Sequence, residues 1–324
     1  MTATGPAPKV TVIIPAYKTA GTLQRAVQSV CDQTEPDFEI LIIDDCSGDA
    51  TLDLARQLAG ADPRIRVVAL AENGGQARAL NHGIALARGE WIATLDADDR
   101  YQSERLRVLL EAGEREGVAM VADNQNHLDE AAGRLVRTAF PDSGGGRLVA
   151  LPDFIAHSDT AADFSFGILK PIIRATFIKA HGLGYRPGLK LGQDFYHLMQ
   201  FFAAGGTGYL VDRPMYDWTL PFGPISRTWT TTGDGAWRYD YRSTLEANRY
   251  FLQMMERAGQ VALVALLRRR EREYRVMVNY IDAQKTYAVT GRRLSAARII
   301  ARHPATWPLL AKRISGRMRR AIAS

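Results

Sequence analysis

Apolar and polar positions change period repeatedly along the first hundred residues. From Lys9 to Pro15 the chain carries Val10-Thr11-Val12-Ile13-Ile14, a near-continuous β-rich run stopped by proline. That pattern suits a strand covered on both faces of a parallel sheet. Between Ala16 and Cys31, the positions Leu23, Ala26, Val27 and Val30 fall at helical spacing and make one buried stripe. The alternation then repeats. Further strands are predicted over Phe38 to Ile43, Ile65 to Leu70 and Trp91 to Leu95, and further helices over Thr51 to Leu58 and Gln76 to Ala87. This order predicts an α/β fold with a doubly wound sheet, in which ligands bind at the carboxyl ends of the strands.

Beyond residue 118 the periodicity weakens. Met120 to Ala122 is strand-like, and the polar stretch that follows, with Gly144-Gly145-Gly146, reads as a loop. Ser165 to Phe177 reads as a return to the sheet, interrupted by Lys170-Pro171. The glycines at 182–184 and 205–208 read as turns. A helix is expected from about Asp194, with Phe195, Leu198, Met199 and Phe202 on its apolar face. Tyr239 to Tyr287 has a helical pattern that includes Leu252, Met255, Leu263, Leu266, Leu267 and Val276. The predicted division is an α/β domain over residues 1–230 and a basic helical C-terminal region over 231–324.

Charge sharpens that division. The formal net charge is +6, yet Val261 to Ser324 holds 15 Lys and Arg against three acids, leaving 26 bases against 32 acids in the rest. The final stretch places Trp307, Leu310, Ile314, Met318 and Ile322 on one stripe beside Lys312, Arg313, Arg317, Arg319 and Arg320. Such a helix either lies on an anionic membrane surface or docks its stripe on protein. Nucleic acid is not the expected partner, because aromatics for stacking are not interleaved with the bases. Cys31 and Cys46 have no metal-ligand spacing, and neither a signal-type leader nor a spanning segment is evident. The expectation is a cytoplasmic protein, peripheral on the inner face of the cell membrane.

Candidate chemistry collects at the strand ends. Pro15-Ala16-Tyr17, Asp44-Asp45, Asn73-Gly74-Gly75 and the acids Asp96, Asp98 and Asp99 all fall there. No G-x-G-x-x-G follows the first strand, so the usual dinucleotide fingerprint is absent. Residues two apart in an extended chain point the same way, which would send Asp96 and Asp98 into one pocket with Asp99 beside them. Clustered carboxylates repel unless a cation compensates them, and hard oxygen ligands suit Mg²⁺ or Mn²⁺. The other reading is a solvated turn with Asp99 capping the next helix. Tyr17 would either stack on a base or pack on the first helix. Asp123, Asn124 and His127 are either ligand contacts or ordinary loop polarity.

The motifs Val12 to Tyr17, Glu39 to Thr51, Asn73 to Asn81 and Leu95 to Asp99, in that order, resemble the family 2 glycosyltransferases of GT-A fold. The resemblance covers roughly Lys9 to Arg227. It implies a Rossmann-like, doubly wound mixed sheet and an inverting transfer of one sugar from a nucleotide donor, most often a UDP-sugar, with a divalent cation on the diphosphate. By that similarity Pro15, Tyr17 and Asp45 sit at the nucleoside, and Asp96 lies at the ribose and donor sugar. Asp98, with Asp99, holds Mg²⁺ or Mn²⁺. Ala16, Asp44, Asn73, Arg78 and Ala97, from the same motifs, complete the nucleotide-sugar site. Cys46 stands where the family often has glycine.

The Gln193-Asp194 pair resembles the family's Glu-Asp motif, whose Asp is the catalytic base, with Gln193 departing from it. A carboxylate there can take the proton of an attacking hydroxyl, or it can simply cap its helix. Arg227 falls in a segment resembling the loop that closes over the diphosphate. The processive Gln-x-x-Arg-Trp signature is absent, which favours single-sugar transfer to a lipid-linked or polysaccharide acceptor. The alternatives are a nucleotidyltransferase, or a basic adaptor without catalysis that binds nucleic acid or lipid.

Overall fold

Every residue of β1 (Val10–Ala16) and β2 (Phe38–Asp44) is buried, as their uninterrupted apolarity requires. The computed structural model describes residues 7–130, 132–140, 145–158, 165–189, 191–220, 241–290, 298 and 301–302. By packing, the chain divides into two compact units, Met1–Ser158 with Ala162–Pro224, and Asp159–Ala161 with Ile225–Ser324.

The first unit continues the predicted alternation with α1 (Leu23–Cys31), α2 (Thr51–Ala61), β3 (Ile65–Ala69), α3 (Gln76–Leu86) and β4 (Trp91–Thr94). Then come β5 (Arg100–Tyr101), α4 (Arg105–Glu116), β6 (Met120–Asp129), β7 (Arg134–Thr138), β8 (Arg147–Val149) and α5 (Leu151–Ala156). A 3₁₀ turn at Phe166–Ile168, β9 (Ile172–Arg174), α6 (Ala175–His181), α7 (Gln193–Ala203) and β10 (Gly208–Leu220) complete it. The strands form one sheet in the order β3-β2-β1-β4-β9-β6-β10-β5, with β7 on β6 and β8 on β10. The β3-β2-β1-β4 half is parallel, and β9 runs antiparallel to both β4 and β6.

Helices cover both faces of the parallel half. Val10, Val12 and Ile14 share a core with Leu23, Val27 and Val30 of α1, Ala55 of α2 and Leu106 and Leu109 of α4. On the other face α3 comes so close that a Cβ on Gly83 would lie 2.4 Å from Ile13. The register builds the rim. Ala16 lies opposite Asp44, while β4 stops at Thr94 opposite Ile13, three residues short, so the turn after β4 fills the rim beside the ends of β1 and β2.

Several elements differ from expectation. β6 runs ten residues rather than three, and β10 was unforeseen. Both carry buried polar side chains that are satisfied across the sheet, which hides their strand period: Asn126 donates to Asp217 Oδ1 at 2.8 Å, and Gln102 donates to its Oδ2 at 2.6 Å. The expected strand over Ser165 to Phe177 shrinks to β9, because α6 begins at Ala175. β7 and β8 occupy parts of the stretch read as a loop.

In the second unit the helical pattern of Tyr239 to Tyr287 forms two helices, α8 (Tyr241–Arg257) and α9 (Val261–Thr290). Gly259 takes φ 66° between them, and the Gln260 amide reaches back to the Met255 carbonyl at 3.0 Å, closing α8. Leu245, Phe251, Leu252 and Met255 are buried on α8 and Leu267, Tyr274 and Ile281 on α9. Asn248 donates to the Leu267 carbonyl at 3.0 Å, and Arg270 donates to the Tyr274 hydroxyl at 2.8 Å. No described helix is long and apolar enough to cross a membrane. The stripe from Trp307 to Ile322 and Arg227 lie outside the described residues.

Candidate active site

The rim begins with two turns held by carboxylates. Asp44 accepts from the Ser47 amide at 3.2 Å and from its hydroxyl. Asp45 accepts from the Gly74 and Gly75 amides at 2.9 and 2.7 Å, while Asn73 donates back to the Asp45 carbonyl at 3.0 Å. The Asn73-Gly74-Gly75 loop is thus tied to the end of β2, and it delivers α3 directly behind it. Cys46 adopts φ 58°, a left-handed conformation that glycine takes without steric cost. Pro15 and Ala16 are buried in β1, and Tyr17 is half-buried with the Lys18 ammonium 5.2 Å from its ring centroid. Arg78 turns outward to Glu72 at 2.6 Å.

The acids after β4 do not continue the extended strand. β4 ends at Thr94, and the Asp99 amide donates to the Asp96 carbonyl at 3.0 Å, closing a turn, so two-residue alternation does not govern where they point. Ala97 is buried within that turn, while Asp96 and Asp98 are half-buried. Asp99 is buried and caps no helix: it accepts from the Tyr216 hydroxyl at 2.7 Å and from the Thr219 amide at 2.9 Å, both on β10. Burial, with Asp98 and Asp96 alongside, holds its carboxyl well above the usual range. Among the described residues no group of three or more His, Cys, Asp or Glu side chains is arranged to hold a metal ion by itself.

Asp194 stands in the first turn of α7. The helix is seated by aromatics: the Phe154 ring stacks on Phe195 at 5.6 Å and on Phe202 at 4.7 Å. Its carboxylate accepts from the Lys170 ammonium at 3.2 Å. The same ammonium lies 2.9 Å from Asp96 Oδ2. Lys170 therefore joins the rim acid to the α7 acid. Burial opposes its charge, but Asp194 and Asp96 outweigh burial and hold its pKa well above that of a free lysine. For Asp194, burial raises the pKa and Asp96 adds to it, while Lys170 pulls it back.

A second path closes the circuit. Gln193, beside Asp194, donates to Gln76 Oε1, and Gln76 donates to Asp96 Oδ1 at 2.8 Å. Asp194, Lys170, Asp96, Gln76 and Gln193 are thus joined in one ring, closed by the peptide link between Gln193 and Asp194. Sequence reasoning missed Lys170 and Gln76 as members, and also Tyr216. The Lys-Pro dipeptide looked like a break in a strand, and nothing local marks a lysine whose partners lie 74 residues before it and 24 after it. Arg105 braces the lysine from within: fully buried, it pairs with Asp123 at 2.7 Å and donates to the Lys170 carbonyl. Its guanidinium lies 4.1 Å from the Tyr101 ring centroid and 5.4 Å from that of Tyr216. Asp123 is therefore a strand residue bound to protein, as are Asn124, which donates to the Phe140 carbonyl at 2.9 Å, and His127, edge-on to Trp218 at 4.8 Å. His197, one turn after Asp194, stacks on Tyr185 at 4.3 Å.

Known proteins resemble this chain in sequence and in fold. The profile described as Glycosyl transferase family 2 matches residues 11–156. The succinoglycan biosynthesis protein ExoO of Rhizobium meliloti (strain 1021) is 36% identical over 225 residues, covering 68% of this chain and 63% of its own. This chain thus spans less than two thirds of that relative's length. Staphylococcus aureus TarS 1-349 in complex with UDP-GlcNAc superposes with a TM-score of 0.64 at 19% identity, over 90% of this chain and 83% of that one. The mannosyltransferase PcManGT from Pyrobaculum calidifontis, in complex with GDP-Man and Mn2+, gives 0.55 at 17% identity, over 96% and 81%. With its mixed sheet in the GT-A fold and its motifs on one rim, the chain belongs to glycosyl transferase family 2.

Proposed function

We propose that this protein is an inverting, metal-dependent glycosyltransferase that moves one sugar from a UDP-sugar to an acceptor of bacterial surface-polysaccharide synthesis. The observation that carries the reading is the single ammonium of Lys170 touching both Asp96, on the donor rim, and Asp194, on α7. A donor-side acid and a base for the acceptor must be this close if one hydroxyl is to attack the sugar's anomeric carbon while the nucleotide leaves.

In this reading Pro15, Ala16, Tyr17 and the loops tied by Asp44, Asp45 and Asn73 receive the nucleoside, with Arg78 and Ala97 at its margin. Asp96 meets the ribose and the donor sugar. Asp194 accepts the proton of the acceptor hydroxyl as the new carbon–oxygen bond forms from the face opposite the leaving group, which inverts the anomeric centre. The negative charge gathered by Asp96, Asp98 and Asp99 fits a hard cation, with Asp98 as its ligand by the family resemblance and Asp99 bound to β10 beside it. A divalent ion there, Mg²⁺ or Mn²⁺, supplies charge neutralisation for the departing diphosphate. TarS was solved with UDP-GlcNAc and PcManGT with Mn2+, which supports a nucleotide-sugar donor and a metal here. Arg227 would add a positive charge at the diphosphate, and the basic stretch after Gly291 would rest on an anionic membrane carrying a lipid-linked acceptor.

The test is Asp194→Asn. It is expected to keep Mn²⁺-dependent UDP-sugar binding, measured by thermal shift, and to lose turnover by about 10²–10⁴-fold. Turnover within a few fold of the parent would remove Asp194 as the base.

A further inference from the structure

We infer that Lys170 is a positioning residue for the transfer, bridging Asp96 to Asp194 so that the base is both aimed and held ionised. The inference rests on the reading of Asp194 as base and deepens it. Lys170 is built in as a fixed strut. Its side chain is 9% exposed. Pro171 follows it directly, Arg105 grips its carbonyl from the buried pair with Asp123, and β9 begins at Ile172 between β4 and β6.

The charges around Asp194 explain why such a strut matters. Asp194 is half-buried on α7, and among the described residues the titratable groups facing it are Lys170 from the segment before β9, Asp96 from the turn after β4 and Tyr185 from the loop after α6. Tyr185 is buried and its pKa is pushed up, so it stays neutral and adds no charge beside Asp194. Burial and Asp96 both favour a proton on Asp194, and among these neighbours Lys170 alone opposes them. A protonated carboxyl cannot act as a base. Without the ammonium, the pH below which Asp194 carries a proton moves upward, and so does the acid limb of the rate profile.

The experiment follows transfer to water, so that no acceptor is needed. Water attacks the anomeric carbon, the bond to UDP breaks, and one water proton passes to Asp194. UDP release from UDP-glucose, UDP-galactose and UDP-GlcNAc is measured with Mg²⁺ across the pH range of the enzyme, for the full chain and for Lys170→Met and Lys170→Arg. Mg²⁺–UDP affinity, read by calorimetry, is expected to stay within about threefold in both. Lys170→Met is expected to move the acid limb up by about one pH unit or more, with a loss above tenfold on the acid side that narrows at high pH. Lys170→Arg keeps the charge and restores the limb. A Met variant that loses rate equally at every pH would overturn the inference, and Lys170→Gln provides the same comparison if the Met variant does not fold. Asp194→Asn separates the two failures. If it is inactive while the Lys170→Met limb is unshifted, the lysine role falls alone; if it is active, the base and the strut fall together.

Discussion

The Tyr216 hydroxyl donates to Oδ2 of Asp99 at 2.7 Å, so the last acid of the turn after β4 is bound into the sheet. The Asp96 amide donates to the same tyrosine oxygen at 3.3 Å, and β10 thereby fixes the whole turn. Asp98 and Asp99 should accordingly behave differently. Asp98→Asn is expected to weaken Mn²⁺-dependent UDP binding by about tenfold or more, whereas Asp99→Asn keeps it within about threefold, since a metal site loses most when a direct ligand is changed. Calorimetric titration of UDP with and without Mn²⁺ measures both, and equal losses would mean that Asp99 is also a ligand.

The two glutamines define a direction. Gln193 donates to Gln76, which donates to Asp96, so an acceptor-only group at 193 would have to reverse the relay. Gln193→Glu should draw the Gln76 amide away from Asp96. Losing one such bond at the donor rim corresponds to a rise in donor KM of about two- to tenfold. Steady-state kinetics at saturating Mg²⁺ would reveal it, and an unchanged KM would show that the relay has no part in donor binding.

Arg105 and Asp123 are both fully buried and joined at 2.7 Å. Removing one partner strands the other. Arg105→Leu should cost about 3–5 kcal/mol in urea unfolding, and Arg105→Leu with Asp123→Leu together should cost less than the single change, because no uncompensated charge remains.

His197 yields a pH prediction. Burial lowers its pKa from 6.5 to about 4. On acidification the unfolded chain takes the proton first, so the native state loses stability as pH falls from about 6.5 towards 4, by about 1–3 kcal/mol for this group. Asp194 and Asp99, whose values are raised, act in the opposite sense over part of that window. Comparison with His197→Gln isolates the histidine: the variant's unfolding free energy should fall less steeply between pH 6.5 and 4.5. Parallel curves would mean the histidine is already charged in the native protein.

The parallel half of the sheet was legible because Val10 to Ile14 and Phe38 to Ile43 are covered on both faces and therefore apolar throughout. The β6 and β10 strands were not, for a physical reason. Asp123 and Asp217 are buried yet satisfied, the first by Arg105 and the second by Asn126 and Gln102, and a strand whose inward side chains are polar has no hydrophobic period to read. The rim acids could be singled out as candidates by their local chemistry, and Asp194 by its resemblance to the family's acidic motif. Lys170 could not, since its role depends on three segments meeting. The end of α8 illustrates a smaller loss: the apolar period runs on across Gly259, and only its left-handed torsion divides the helices.

The guanidinium of Arg105 makes one side chain answer to two kinds of selection. It is among the largest fully buried side chains, and through the carbonyl of Lys170 it also sets the pose of the ammonium between the acids. Buried ion pairs can often be exchanged for aliphatic groups without loss of stability. A thermostabilised version obtained by greasing this spot would accordingly be sturdier in the test tube and slacker at its work, which is reason to keep an arginine that folding alone would not demand.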